Sequence, residues 1–375
     1  MKQFLSRYFH IIFIGIFFIV TSYLSVVSPL WADENVYLEL AQLVLIDSLR
    51  PINENTLRML SWVPHPPFGW YLFAAFSFMP RIASVLTSAL CVFFLYHVSK
   101  KLCGEGIAKL STVSLISTWG YMLYSAVAHL DGPLTAFMTI SVLSFLAWIR
   151  LEDYKYLIFC GLSLGVASLT KYTAAPILLG TFIIWLLLRK RKLNLSMFFK
   201  TIVILTVSLI PVALWAYSLS QVYGDFVGHY SEIYDFFPRD PHQIIINLVV
   251  YFVNALLLCG FPLLSWVRKR PFDFESRLLL IYSAFLFVFF VLLTPMKAII
   301  YPAQNRYLLP MVPATAVISA KSLIKEKPAE RFIILVLQFI DVTLCALLML
   351  LYPPFLSFVS SSISRLIQIF GITGE

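Results

Sequence analysis

Long apolar stretches follow one another along nearly the whole chain, and each is close to the length of a membrane-spanning helix. Such a helix needs roughly 20 apolar residues. The candidate stretches are residues 9–30, 82–98, 110–128, 132–149, 156–170, 173–188, 198–219, 244–266, 278–295, 307–320 and 332–352. Charged residues make up only 13% of the chain, whereas ordinary soluble domains carry about 25%. The sequence therefore predicts an all-α fold, a polytopic transmembrane bundle of about eleven helices. Residues 1–352 form one membrane domain in this interpretation, and 353–375 an amphipathic C-terminal segment.

The net charge of +9 comes mainly from Lys and Arg in short loops between the apolar stretches. If the N-terminus is cytoplasmic and the helices alternate in direction, twenty of the 28 Lys and Arg residues fall in cytoplasmic loops. This bias is the one that orients membrane proteins. A basic face interleaved with aromatic residues on a soluble fold, typical of nucleic-acid binding, is absent from the sequence. We therefore expect a multi-pass protein of the cell membrane with a cytoplasmic N-terminus and no nucleic-acid partner.

The first outer loop, residues 31–81, is far longer than a connection between two helices requires. Apolar residues at helical spacing predict an interfacial helix from Asp33 to Leu49, which Pro51 ends. The aromatic segment Phe68–Phe78 suits a second helix lying at the level of the lipid headgroups.

Two adjacent acids, Asp33 and Glu34, open this loop just past the first transmembrane helix. An acid pair at a membrane surface can take a proton from an acceptor hydroxyl, or it can hold a divalent cation. Asp33 can equally act as the cap of the interfacial helix, with Glu34 complementing the helix dipole. These interpretations are compatible, and the residues alone leave metal binding open.

Four further polar residues lie on the same predicted side of the membrane, each with a plain structural explanation. Asp131 begins a helix and can cap it. Lys171 sits between two apolar stretches, where a lone Lys usually snorkels. His65 precedes two prolines, and Arg306 precedes a short apolar stretch broken by two more. Together with Asp33 and Glu34, however, these residues combine acids that could activate an acceptor with cations that could hold a phosphate.

At these residues the chain resembles the GT-C superfamily of polytopic glycosyltransferases, in particular the branch with protein O-mannosyltransferases and aminoarabinose transferases. The matching stretches are 32–37 (Ala-Asp-Glu-Asn-Val-Tyr), 65–68 (His-Pro-Pro-Phe), 81–84 (Arg-Ile-Ala-Ser), Asp131, 161–165 (Gly-Leu-Ser-Leu-Gly), 170–171 (Thr-Lys) and 305–310 (Asn-Arg-Tyr-Leu-Leu-Pro). Each motif is short, and their order and common membrane side carry the resemblance.

The resemblance implies a membrane glycosyltransferase that moves a sugar from a polyprenyl-phosphate carrier to an acceptor hydroxyl on the outer face, with inversion. It implies that Asp33 is the general base, with Glu34 and Asp131 as supporting acids of the catalytic group. His65, Lys171 and Arg306 are implied contacts to the carrier phosphate. The partners implied are the polyprenyl-phosphate-linked sugar and a lipid, glycan or protein acceptor. The segment between His65 and Arg81 is shorter than is usual in the family, which leaves the acceptor open.

Two other functional classes remain alternatives. A transporter or lipid flippase would carry polar residues near the middle of the bilayer on several helices, and Asp341 alone plainly fits that pattern. A non-catalytic subunit of a glycosylation complex would keep the fold without the chemistry. Neither alternative explains as directly why acids and cations from distant stretches share one side of the membrane.

Overall fold

The computed structural model describes residues 2–28, 34–47, 65–188, 195–223, 241–259, 273–293 and 302–351. Within these ranges the secondary structure is entirely helical. In chain order the helices are α1 (Lys2–Val27), α2 (Glu34–Asp47), α3 (Phe68–Ala75), α4 (Arg81–Cys103), α5 (Glu105–Ile116), α6 (Trp119–Ala126), α7 (Asp131–Leu151), α8 (Tyr154–Thr170), α9 (Ala174–Leu188), α10 (Leu195–Tyr223), α11 (Pro241–Cys259), α12 (Phe274–Leu293), the 3-10 helix Pro302–Met311, α13 (Val312–Leu323) and α14 (Pro328–Leu351). The predicted all-α membrane fold is confirmed.

Five of the described helices are each long and apolar enough to cross a membrane. They are Tyr8–Val27 within α1, α4, α7, Leu195–Gln221 within α10, and Phe274–Leu292 within α12. Helix α7 is the central one, because nearly every side chain from Asp131 to Ile149 is buried and it packs against α4, α8 and the 3-10 helix. Helices α1 and α10 instead expose most of their apolar side chains. This difference places α7 inside the bundle and α1 and α10 at its periphery.

Two predicted helices are each interrupted in the structure. The stretch 110–128 contains the end of α5 and all of α6, separated at Ser117 and Thr118. The hydroxyl of Ser117 donates to the Val113 carbonyl at 2.6 Å, and that of Thr118 to the Ser114 carbonyl at 2.8 Å. The Val113 carbonyl also accepts from the backbone N–H of Ser117 at 3.0 Å, so the hydroxyl bonds are added to the last turn of α5, where such bonding often bends a helix.

The stretch 307–320 begins as a 3-10 helix and continues as α13. Pro310 lies inside the 3-10 helix and Pro313 in the first turn of α13. Proline has no N–H to donate, and its ring crowds the preceding helical turn, so Pro310 disfavours a regular α-helix at this point. The tighter helix places Arg306 in a short segment next to α7.

Helix α8 lies so close to α10 that two of its contact positions require glycine. A Cβ atom added at Gly165 would stand 2.6 Å from the backbone oxygen of Ser208, and one added at Gly161 would stand 2.5 Å from a side-chain carbon of Ile204. Small residues allow helix backbones to approach in this way within membranes. The contact fixes α8, and therefore the position of Lys171 directly after its last turn.

The two short helices predicted in the first outer loop are both present. Helix α2 covers Glu34–Asp47 and α3 covers Phe68–Ala75, and they pack against each other. Their apolar faces meet in a second buried cluster, separate from the main core, that includes Tyr37, Trp70 and Trp215. The predicted first residue of the interfacial helix, Asp33, lies outside the described residues, as does the amphipathic segment 353–375.

Candidate active site

Asp131 and Lys171 meet at one end of the bundle. Helices α7 and α8 are joined by a short turn and run in opposite directions, so the first residue of α7 and the residue after α8 lie at the same end. Lys171 Nζ donates to Asp131 Oδ1 at 2.6 Å, and the two side chains are only 6% and 1% exposed. Burying two charges is costly unless they are paired, which explains why they share this contact.

His129 joins Arg306 to this pair. Arg306 Nη1 lies 2.8 Å from His129 Nε2, and because a guanidinium can only donate, Nε2 must accept. The other ring nitrogen, Nδ1, lies 2.6 Å from Asp131 Oδ2 and 3.4 Å from the backbone nitrogen of Asp131. Burial lowers the pKa of His129, with the positive charges of Arg306 and Lys171 adding to the effect and Asp131 opposing it.

Three tyrosine rings enclose these polar groups. Lys171 Nζ and Arg306 Cζ lie 5.6 Å and 5.3 Å from the centre of the Tyr307 ring. The rings of Tyr37 and Tyr124 stand edge-on to His129, with centroid distances of 4.9 Å and 5.7 Å. A cation over an aromatic face is attracted by the ring quadrupole. The rings thus hold both cations while limiting the access of water to the cluster.

His65 belongs to the same group of side chains. Its pKa is lowered well below the usual value, chiefly because burial disfavours the charged ring and also because Lys171 and Arg306 are close by; the charge of Asp131 acts in the opposite sense. The neutral imidazole can donate one hydrogen bond and accept another. His65 can therefore contact a bound anion as a neutral donor.

Glu34 has other partners. Its Oε1 accepts from Arg81 Nε at 2.6 Å and from the backbone N–H of Ala128 at 2.7 Å, and its Oε2 accepts from Arg81 Nη2 at 2.7 Å. The Glu34 side chain is completely buried. The structure therefore places Glu34 beside the segment that carries His129, in an ion pair with Arg81.

The structure thus brings together four of the six residues singled out from the sequence, namely Asp131, Lys171, His65 and Arg306, and places a fifth, Glu34, at their edge. Asp33 lies outside the described residues. The catalytic and phosphate-binding roles of all six remain predictions. Sequence reasoning missed His129 as a site residue. Its position two residues before Asp131, in the turn that precedes a buried helix, was the available signal.

The divalent cation considered for Asp33 and Glu34 does not fit the part of that pair that the structure describes. Both oxygens of Glu34 already accept from the Arg81 guanidinium, so a cation would have to displace a buried positive charge. Among the described residues, no group of three or more His, Cys, Asp or Glu side chains is arranged to hold a metal ion.

Comparison with known proteins finds a family and solved structures that resemble this chain. The model of the family described as dolichyl-phosphate-mannose-protein mannosyltransferase matches residues 64–215. The matched range contains His65, Arg81, Asp131 and Lys171, and stops short of Arg306. No curated protein matches the sequence.

Two solved structures of ArnT from Cupriavidus metallidurans share the fold. The structure of the apo state aligns with a TM-score of 0.66 at 16% identity, covering 96% of this chain and 70% of that protein. The structure bound to undecaprenyl phosphate aligns with a TM-score of 0.68 at 16% identity, covering 96% and 72%. The resemblance to the GT-C glycosyltransferases is confirmed, and at this level of identity the structural match establishes the fold.

Proposed function

We propose that this protein is a membrane glycosyltransferase that moves a sugar from a polyprenyl-phosphate carrier to an acceptor hydroxyl. The observation that carries the proposal is the buried cluster of described residues in which Lys171 pairs with Asp131 and Arg306 contacts the neighbouring His129. A solved protein of the same fold binds undecaprenyl phosphate, the kind of anion that such a cluster attracts.

The two cations suit the departing phosphate. When the bond between the sugar and the phosphate breaks, the polyprenyl phosphate gains negative charge, which preorganised donors in a water-poor site stabilise strongly. An ammonium has three donors, so the contact of Lys171 with Asp131 leaves two for phosphate oxygens. Arg306 donates to His129 through Nη1, and its planar guanidinium is the kind of group that binds phosphate oxygens. His65, as a neutral donor, completes the proposed contacts.

The acceptor is activated by Asp33 in this proposal. The Asp33 carboxylate takes the proton of the acceptor hydroxyl while the hydroxyl oxygen attacks the anomeric carbon from the side opposite the phosphate. One C–O bond forms, the bond to the phosphate oxygen breaks, and the anomeric centre is inverted. Asp131 keeps Lys171 charged and oriented but does not exchange a proton. The bias of Lys and Arg toward the other loops supports a non-cytoplasmic position for this end of the bundle.

The decisive experiment measures transfer by the purified protein in liposomes with a radiolabelled polyprenyl-phospho-sugar. We expect release of polyprenyl phosphate together with a labelled acceptor from the wild type, and loss of both with Asp33→Asn. Asp153→Asn is the matched control, because Asp153 is a partly exposed acid that caps α8 at the other end of the bundle, and its rate should stay at the wild-type level.

Different results would point to the two alternatives. Movement of the donor across the membrane without release of polyprenyl phosphate would favour a flippase. Absence of both movement and transfer with several donors would favour a non-catalytic subunit. Wild-type transfer that persists in Asp33→Asn would keep the enzyme and remove Asp33 from the role of base.

A further inference from the structure

Arg81 connects three parts of the chain that surround the candidate site. Its Nη1 donates to the backbone oxygens of Ser25 and Ser28 at 2.9 Å and 2.7 Å, at the end of α1. Its Nε and Nη2 hold the two oxygens of Glu34, the first residue of α2. The carbonyls at the end of a helix lack helical partners, and a cation there is also favoured by the helix dipole. Arg81 therefore ends α1 and orients the start of α2 at the same time.

Glu34 extends this connection to the site itself. Its Oε1 also accepts from the N–H of Ala128, and the next residue, His129, holds Arg306. The residue directly before Glu34 in the sequence is Asp33. One buried carboxylate thus lies between the segment proposed to supply the base and the segment that orients a phosphate-binding cation.

The geometry of the Glu34–Arg81 pair suits a role in orienting neighbouring segments rather than a role in catalysis. A bidentate contact between a guanidinium and a carboxylate defines direction as well as distance. Three N–H donors occupy the two oxygens of Glu34, so the carboxylate is fixed in place and faces Arg81. A group in this state is poorly suited to exchange a proton with substrate, whereas breaking a buried pair of this kind disturbs everything attached to it.

We propose that Glu34 and Arg81 form a positioning pair that sets the start of α2 against residues 127–130, and so determines the geometry of the transfer step without taking part in it. This inference rests on the proposed glycosyltransferase function and reassigns Glu34 from the supporting acid expected from the sequence. It also explains why the stretches 32–37 and 81–84 occur together, because their charged residues bond to each other.

The test compares Glu34→Gln, Glu34→Asp, Arg81→Lys and the double variant Glu34→Gln/Arg81→Lys by kcat, by KM for the donor and by the pH dependence of kcat. A misplacement of about 1 Å reduces a rate by up to about 10²-fold. We expect each single variant to lower kcat by roughly 10- to 100-fold with little change in donor KM. The double variant should be no slower than the slower single variant, because both changes break the same contact.

The pH profile separates positioning from catalysis. If Glu34 only positions the site, the acid limb of the kcat profile keeps its midpoint in Glu34→Gln while the whole curve drops. Loss of that limb in Glu34→Gln, or unchanged kcat in Arg81→Lys, would overturn the inference while leaving the glycosyltransferase intact. A wild-type protein that transfers sugar from no polyprenyl-phosphate donor would instead defeat the proposed function, and this inference with it.

A folding control keeps the result interpretable. Variants that fail to reach the membrane cannot be scored by activity, so Glu34→Leu/Arg81→Met replaces the ion pair by apolar groups of similar size, an exchange that buried pairs often tolerate. We expect this variant to fold and to bind polyprenyl phosphate, and to show the reduced kcat of the single variants. Wild-type kcat in this variant would show that the pair has no positioning role.

Discussion

The two ends of α7 each carry a buried lysine, and the two lysines have different charged neighbours. At one end Lys171 pairs with Asp131, Asp131 also contacts His129, and His129 contacts Arg306. At the other end, about 30 Å away by the length of α7, Lys321 Nζ lies 2.7 Å from Asp273 Oδ2 and 3.0 Å from Glu275 Oε2. Lys321 is only 5% exposed, as Lys171 is only 6% exposed. Burial is therefore equal, and the balance of charge is the difference.

This comparison separates a binding site from a structural contact. Lys321 joins the end of α13 to the start of α12, and Glu275 also faces Arg150 at 3.6 Å. Two acids offset one buried cation there, so the group is satisfied within the protein. At the Lys171 end, the cation Arg306 stands next to the Lys171–Asp131 pair through His129, and two neighbouring cations suit an anionic ligand. A buried lysine alone thus indicates nothing about function, whereas the charges around it do.

The largest expected effect comes from removing each lysine in turn. We expect Lys171→Met to lower kcat/KM for the polyprenyl-phospho-sugar by about 10²- to 10³-fold, the usual effect of losing one donor to a developing anion. Lys321→Met should leave kcat/KM within about threefold and lower the free energy of unfolding by about 1–3 kcal/mol, because it leaves Glu275 with only one cationic partner. Transfer kinetics and thermal unfolding in the same lipid preparation measure both. Equal losses of activity in the two variants would contradict the comparison.

A second prediction uses pH, since the Lys171 end contains histidines. The pKa of His129 is lowered by burial, so the folded protein disfavours its protonation, and the resulting stabilisation is complete above the unfolded-state pKa of about 6.5 and is lost as the pH falls below it. Protonation also removes the acceptor of Arg306. Because the pKa of folded His129 is lowered, we expect kcat/KM to fall only at pH values lower than the ordinary histidine pKa of about 6.5. The fall should be weaker in His129→Gln, whose amide oxygen can still accept from Arg306. An identical acid limb in both proteins would assign the pH dependence elsewhere.

The smallest effect is expected at the exposed edge of the Lys321 group. Asp273 has a side chain that is 47% exposed, and ion pairs of exposed groups contribute at most about 1 kcal/mol. Asp273→Asn should therefore lower the free energy of unfolding by less than about 1 kcal/mol and leave transfer unchanged. Asp131→Asn is the matching change at the other end, and it should reduce transfer strongly because Lys171 would lose its buried partner. Similar results for the two variants would remove the distinction between the ends.

The parts of the fold that could be predicted are those governed by hydropathy. The stretches 82–98 and 132–149 correspond to α4 and α7 with boundaries shifted by a few residues. The break at Ser117 and Thr118 was not predicted, because it depends on hydroxyls bonding to nearby carbonyls rather than on apolar content. The prediction that Asp131, Lys171 and Arg306 lie on the same side of the membrane followed from counting the predicted helices. Their contacts could not be derived in that way, because His129 and Arg306 are 177 residues apart.

The sequence by itself determined that this chain belongs in a membrane as a helical bundle, and which charged residues share one end of it. Both conclusions follow from the cost of placing polar groups in lipid, which acts on each segment separately. Only the tertiary structure decided that Glu34 pairs with Arg81, that His129 holds Arg306, and that Lys171 lies in the group that contains Arg306 while Lys321 lies between two acids. These outcomes depend on side-chain distances between helices, and hydropathy along a single segment carries no information about them.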